Sequence, residues 1–201
     1  MADFRGPAEL KKEESGARPS LGRVSLKHQP LVLPDLTAHL VFWPLVAVGI
    51  ALDLWSKSAV FDWLQTQRHS SVSIIEGVLR LVMALNDGAA FGIFSGKPYL
   101  LMIVSIIALL VVFAIFLFSR TERKLVHISL ALFAAGVCGN LYDRVFNNGL
   151  VRDFIDVVYW PGQHWPAFNI ADSMLCIAVG LLVVSTFLTG KSSRKHAQQH
   201  K

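Results

Sequence analysis

The chain is predicted to be an all-α polytopic membrane protein: four transmembrane helices carrying a small outward-facing β-rich cradle. Three observations predict it. Hydrophobic residues make up 53% of the 201 and charged residues only 16%, where soluble domains carry about 25% charged. The mean hydropathy is +0.49. The apolar residues are gathered into four stretches, and a bilayer core of about 30 Å takes roughly 20 helical residues to cross. So much apolar surface excludes disorder for the bulk of the chain, and two cysteines exclude a disulfide-stapled secreted scaffold.

Residues 1–37 mix Arg5, Lys11, Lys12, Glu13, Glu14, Arg18, Arg23 and Lys27 with Pro and Gly, without a sustained apolar period. They read as a flexible polar tail. The first apolar stretch arrives too late, and without a small-residue cleavage site, to be a removed signal peptide. It is expected to stay as an anchor.

The first helix is expected over residues 40–64, with Asp53 and Lys57 in its second half. The second, residues 98–118, has no charge. The third, residues 125–142, carries His127 and Asn140. The fourth, residues 168–188, has a single charge, Asp172, near its start. Four crossings put both termini on one side. Lys and Arg near helix ends are retained in the cytoplasm. Thirteen of the nineteen fall in the amino-terminal tail, the 119–124 turn or the basic tail over residues 191–201. Those segments are therefore expected in the cytoplasm, with the loops over residues 65–97 and 145–167 facing outward. Such a distribution also excludes nucleic acid as the partner of a chain with net charge +5.

The first outward loop contains SVSIIEGVLRLVMAL, residues 71–85, whose β-branched and apolar content predicts short strands on the membrane surface. The second contains VRDFIDVVYWPGQHWPAF, in which Tyr159, Trp160 and Trp165 suit the aromatic belt at the interface.

Ionisable residues at membrane depth are expensive, so each is a candidate for function. Asp53 and Lys57, spaced i to i+4 in the favourable acid-before-base order, are either a structural ion pair or part of a site. Asn86 opens NDGAAFG, which also reads as a turn. Gly136, Asn140 and Asp143 share a helix stripe with Arg144 one turn beyond Asn140. Close helix packing explains the glycine but not the three polar residues. Asp172 begins a membrane helix, where the dipole favours a carboxylate and where capping is the alternative role. Asp153 sits among Val151, Phe154 and Ile155, an odd setting for a solvated charge. Spacing supports carboxylates and amides gathering near the outer face, without saying which of them touch.

Taken together, DLWSK (residues 53–57), NDGAAFGIFSG (86–96), GNLYDR (139–144), VRDFID (151–156) and PAFNIADS (166–173) resemble bacterial lipoprotein signal peptidase, the type II signal peptidase. The resemblance covers residues 40–188, with five motifs in order among four apolar segments. It implies a four-helix membrane aspartyl peptidase that removes the signal peptide of prolipoproteins just before a diacylglyceryl-modified cysteine. Asp153 and Asp172 are then the catalytic aspartates. Asp53, Lys57, Asn86, Gly136, Asn140, Asp143, Arg144, Asn169 and Ala171 stand at positions that support the site or hold substrate. The expected partners are lipid-modified prolipoproteins and membrane lipid; the enzyme is expected to be a monomer of the bacterial inner membrane, without metal or cofactor. The chain departs from the family pattern at Ala135, where Gly is usual, at Ser56, where Thr is, and at Arg152, where an apolar residue is.

Two carboxyls held close share one proton, one serving as base and the other as acid. The histidines form no H-E-x-x-H set, and Cys138 and Cys176 lie in apolar helices with no histidine at their level. A proton-coupled carrier, the rival class, would carry repeats and charges near the bilayer midplane, whereas these acids lie at helix ends.

Overall fold

The computed structural model describes residues 34–68, 70–89, 92–118 and 123–199, the last eleven of these by backbone alone. The tail expected over residues 1–37 lies outside the described residues except for its last four. Four helices, α1 (Leu36–Gln65), α2 (Pro98–Phe118), α3 (Lys124–Phe146) and α4 (Ile170–Gln199), alternate with strands β1 (Ser71–Ile75), β2 (Leu79–Asn86), β3 (Val151–Trp160) and β4 (Gln163–His164). All four helices are long and apolar enough to cross a membrane, α4 over Ile170–Leu188.

Helix ends differ from the hydropathy boundaries for local reasons. α1 begins one turn before Leu40 because the Asp35 side chain accepts from the Ala38 N–H at 2.9 Å, which satisfies an otherwise orphaned donor. α3 runs one turn past Tyr142, since Asn140, Asp143 and Arg144 are buried among partners and the polar run does not stop the helix. α4 continues to Gln199, so most of the expected basic tail is helical.

α3 is the middle helix and packs against the other three. Small residues allow it. Ala131 and Ala134 meet Ala38, Phe42 and Val46 of α1 and Val112 and Phe116 of α2, while Ala135 meets Ala171 and Met174 of α4. Phe42 and Phe116 stack at 3.9 Å between ring centroids, and His127 meets Phe116 edge-on at 5.8 Å. His127 is thus a buried aromatic at the end of the bundle away from the sheet. A Cβ at Gly49 would lie 2.7 Å from the Ala135 Cβ, and one at Gly136 2.6 Å from the Ala171 carbonyl oxygen. Close approach therefore requires both glycines.

The four strands form one antiparallel sheet in the order β1-β2-β3-β4. It joins the loop between α1 and α2 to the loop between α3 and α4, and β3 is not visible as a strand in the sequence. Val151, Asp153, Phe154 and Asp156 are all buried, so the apolar and polar alternation of a half-buried strand is absent. β2 pairs with β3 through Arg80↔Asp156 and Leu81↔Ile155, then, after a bulge, Ala84↔Asp153 and Asn86↔Val151. The bulge brings Asn86 onto the same side as Asp153.

Gly136→Ala is expected to destabilise the bundle by about 1 to 3 kcal/mol through overpacking. Gly180→Ala, whose Cβ would meet nothing within 4 Å, is expected to melt like the parent. Thermal melts of both in detergent check the contrast; equal melting temperatures contradict it.

Candidate active site

Asp153 and Asp172 stand on different kinds of element. Asp153 is the third residue of β3 and 1% exposed. Its Oδ2 accepts from Asn86 Nδ2 at 2.9 Å and its Oδ1 from Asn169 Nδ2 at 2.6 Å. Burial pushes its carboxyl up to about 6, against the lowering effect of the Asn86 bond, and the charge of nearby Asp172 adds to the rise.

Asp172 lies in the first turn of α4, and Asn169 caps that helix. Asn169 Oδ1 accepts from the Asp172 N–H at 3.0 Å while Asp172 Oδ2 accepts from the Asn169 N–H at 3.2 Å. This reciprocal capping box satisfies two orphan donors. Asp172 therefore does have the helix-start role that the sequence left open, and Asn169 also reaches Asp153. One asparagine touches both carboxylates.

Asn140 supplies the remaining donor to Asp172, from Nδ2 to Oδ1 at 2.8 Å. Its amide has no choice of orientation. Asn140 Oδ1 accepts from Lys57 Nζ at 3.0 Å and from Asn169 Nδ2 at 3.1 Å, and an ammonium can only donate. Asn86 is oriented similarly, because its Oδ1 accepts from the Gly88 N–H at 2.9 Å and leaves Nδ2 to Asp153.

Behind these amides lies a charged cluster. Lys57 Nζ is 2.7 Å from Asp53 Oδ2 and 3.3 Å from Asp143 Oδ2, all three side chains being nearly or wholly buried. Asp53 Oδ1 accepts from the Ala171 N–H at 2.8 Å, so the ion pair also holds the start of α4. The packed Ala171 contributes that donor and its methyl group, and a Cβ at Gly139 would collide with the Asp53 carboxylate. Arg144 Nη2 donates to the Gly88 carbonyl at 2.8 Å, fastening the loop after β2 to α3. In that loop the Ser95 hydroxyl holds the exposed Asp87 carboxyl below the usual carboxylate range.

The structure thus brings Asp53, Lys57, Asn86, Asn140, Asp143, Asn169, Ala171, Asp153 and Asp172 into one connected network. Arg144 touches it through the Asn140 carbonyl at 3.5 Å, and Gly136 serves it by packing against the Ala171 backbone. In the sequence Arg152 is only a departure from the family pattern. Its Nη2 and Nε donate to Asp143 Oδ1 at 2.7 and 3.2 Å, and its N–H to Asp143 Oδ2 at 2.9 Å. The signal is a cation where the family pattern has an apolar residue; its partner, on the end of α3, is not legible from spacing.

Asn86, Asp153 and Asp172 line a cavity of about 800 Å³ whose other walls are largely apolar: Leu85 of β2, Trp165 to Phe168, and Leu175 and Ile177 of α4. That size and lining suit a ligand held mainly by apolar contact and oriented by a few polar groups. Among the described residues no group of three or more His, Cys, Asp and Glu is placed to hold a metal ion.

Residues 45–188 match the family model of signal peptidase (SPase) II. The lipoprotein signal peptidase of Clostridium acetobutylicum is 37% identical over 150 residues, which is 75% of this chain and 94% of that protein. That of Geobacter sulfurreducens is 42% identical over 147 residues, 72% of this chain and 89% of that protein. A bacterial membrane enzyme solved by the in meso method at 2.3 Å resolution superposes with a TM-score of 0.65 at 31% identity, over 79% of this chain and 91% of that one. A second, at 1.9 Å, gives 0.63 at 30% identity, over 79% and 97%.

Lys57→Ala leaves Asp53 and Asp143 without their shared cation, a loss of about 3 to 5 kcal/mol for a broken buried pair. The variant is expected to melt earlier and give less folded protein, besides losing activity. A melting temperature equal to the parent's contradicts the structural part of this assignment.

Proposed function

The chain belongs to the signal peptidase II family, multi-pass membrane peptidases that process prolipoproteins, and we propose that it works as an aspartic peptidase with Asp153 and Asp172 as its catalytic pair. The observation that carries this reading is the single residue Asn169, whose side-chain amide donates to the Asp153 carboxylate and whose backbone N–H donates to that of Asp172, where both carboxylates line the cavity. Two carboxyls so joined differ in environment, and the difference divides the labour. Asp172 accepts from the Asn140 amide and the Asn169 N–H at a helix start and serves as the base. Asp153, buried and raised to about 6, is the one that holds a proton.

In the reaction Asp172 takes a proton from water as the oxygen attacks the scissile carbonyl carbon, while Asp153 gives its proton to the carbonyl oxygen. A tetrahedral diol results. The proton on Asp172 then passes to the leaving nitrogen, the C–N bond breaks, and a diol hydroxyl returns its proton to Asp153. Both carboxyls end as they began, and no covalent intermediate forms.

The apolar walls receive the lipid-modified segment of the substrate, a precursor cleaved just before its diacylglyceryl cysteine. The basic residues of the tails and of the 119–124 turn hold both termini in the cytoplasm, which puts the sheet and the aspartates at the outer face. The enzyme acts as a monomer.

Asp153→Asn and Asp172→Asn are each expected to lower single-turnover cleavage of a diacylglyceryl-modified precursor by on the order of 10³-fold or more, and the double variant by little more. Near-parental cleavage by either folded variant would remove that residue from the reaction.

The pH dependence carries the sign of the shift. Asp153 must be protonated to act, so kcat/KM is expected to fall as pH rises through about 6. The corresponding limb of kcat lies higher, because bound substrate excludes more water from the carboxyl. The same shift raises the proton affinity on folding, so its stabilising contribution is complete below the ordinary value of 3.8 and is lost as pH rises through about 6. Melting temperatures of parent and Asp153→Asn, compared at pH 4.5 and 7.5, should therefore diverge in favour of the variant as pH rises.

A further inference from the structure

Asp153 and Asp172 are near the two ends of one hairpin. From Asp153 the chain runs out along β3, reverses at Pro161 and Gly162, where Gly162 has φ 77°, and returns through β4 and the cavity wall of Trp165 to Phe168. Asn169 then caps α4. The span between the two carboxyls is thus set by how the returning arm lies on the outgoing one.

Backbone pairing holds that arm at several points: Gln163 lies opposite Trp160 and His164 opposite Val158, and the Phe154 N–H donates to the Phe168 carbonyl at 3.1 Å. Trp165 N–H donates to the Val157 carbonyl at 2.8 Å, and Phe168 exchanges bonds of 2.8 and 3.0 Å with Ile155. Pro166, between them, has no N–H to give. The register is irregular between Val158 and Trp160, so the turn does not by itself determine where the arm lies.

A side-chain contact adds to the backbone pairs beside that irregularity. His164 Nδ1 lies 2.9 Å from both carboxylate oxygens of Asp156. A carboxylate only accepts, so Nδ1 carries the proton in either charge state of the ring. Asp156 is nearly buried, and its Oδ2 is 3.8 Å from Arg80 Nη1, while Arg80 Nη2 donates to Ser71 Oγ at 2.8 Å. The contact therefore ties β4 to β3 and, through Arg80, to β2 and β1. Neither His164 nor Asp156 lines the cavity of the two aspartates.

We propose that Asp156 and His164 are a positioning pair for the peptidase reaction: their contact fixes the returning arm, and with it the separation of Asp153 from Asp172. It rests on the reading of those two aspartates as the catalytic pair. A misplacement of about 1 Å at reacting groups costs up to about 10²-fold in rate, so the pair acts on turnover and little on affinity.

Three variants test it, in the full chain in detergent with a diacylglyceryl-modified precursor. His164→Phe keeps a ring and removes the donor. His164→Asn puts an amide nitrogen where Nδ1 lies. Asp153→Asn reports on the catalytic reading. His164→Phe is expected to lose about tenfold in kcat with KM within about twofold and little change in melting temperature, and His164→Asn to recover most of the loss. Equal kcat in the Phe and Asn variants, or a Phe variant that melts earlier but turns over at the parental rate per folded molecule, overturns the proposal. If His164→Phe matches the parent while Asp153→Asn is inert, the positioning pair fails and the catalytic reading stands. Parental turnover by Asp153→Asn overturns the catalytic reading, and the positioning proposal falls with it.

Discussion

An ammonium buried in a membrane-spanning bundle has to be surrounded by acceptors, and Lys57 has three for its three protons: Asp53 at 2.7 Å, Asn140 at 3.0 Å and Asp143 at 3.3 Å. Each acceptor passes the constraint to a different element. Asp53 uses its other oxygen to receive the Ala171 N–H, which seats the start of α4. Asn140, with its oxygen committed to Lys57, must turn its nitrogen to Asp172. Asp143 receives the backbone and side chain of Arg152 and so anchors the start of β3. Well-packed apolar residues in place of a buried ion pair are often no less stable. They could not, however, impose a polarity on the amide that donates to Asp172.

Charge balance explains why Arg152 belongs to this arrangement. Asp53 and Asp143 carry two negative charges against the single positive charge of Lys57, and burying the excess without a partner is expensive. Arg152, only partly exposed, brings the second cation to Asp143. In the sequence it is only a departure from the family pattern. In the fold it is what lets β3 begin against the end of α3.

The same contrast separates what was legible from what was not. Membrane helices announce themselves because a bilayer demands long apolar runs, and the four stand where those runs do, although α4 continues eleven residues past the expected end at 188. Their ends depended on Asp35 as a cap and on buried partners for Asn140, Asp143 and Arg144, which hydropathy does not register. β1 and β2 were legible from β-branched residues; β3 was not, because it buries acids as well as apolar side chains and so has no period of two. The i to i+4 pair of Asp53 and Lys57 could be read directly, since both lie on one helix. Contacts between elements, such as Asn86 to Asp153 or Arg152 to Asp143, depend on a bulge and on a strand folding back, and neither leaves a spacing to count.

Asn169 shows how tightly fold and site are joined. Its oxygen takes the N–H of Asp172 to start the helix, which leaves its nitrogen to face Asp153 and Asn140. Reversing the amide would put its oxygen against the Asp153 carboxylate and the Asn140 oxygen, with the Asp172 N–H facing another donor. The capping bond therefore determines the orientation of the group that links the two acids. Moving the start of α4 by one residue would rotate Asp172 by about 100° around the helix axis. The cap and the Asn140 contact would be lost together, so the bonds that nucleate the helix are also the bonds that assemble the site.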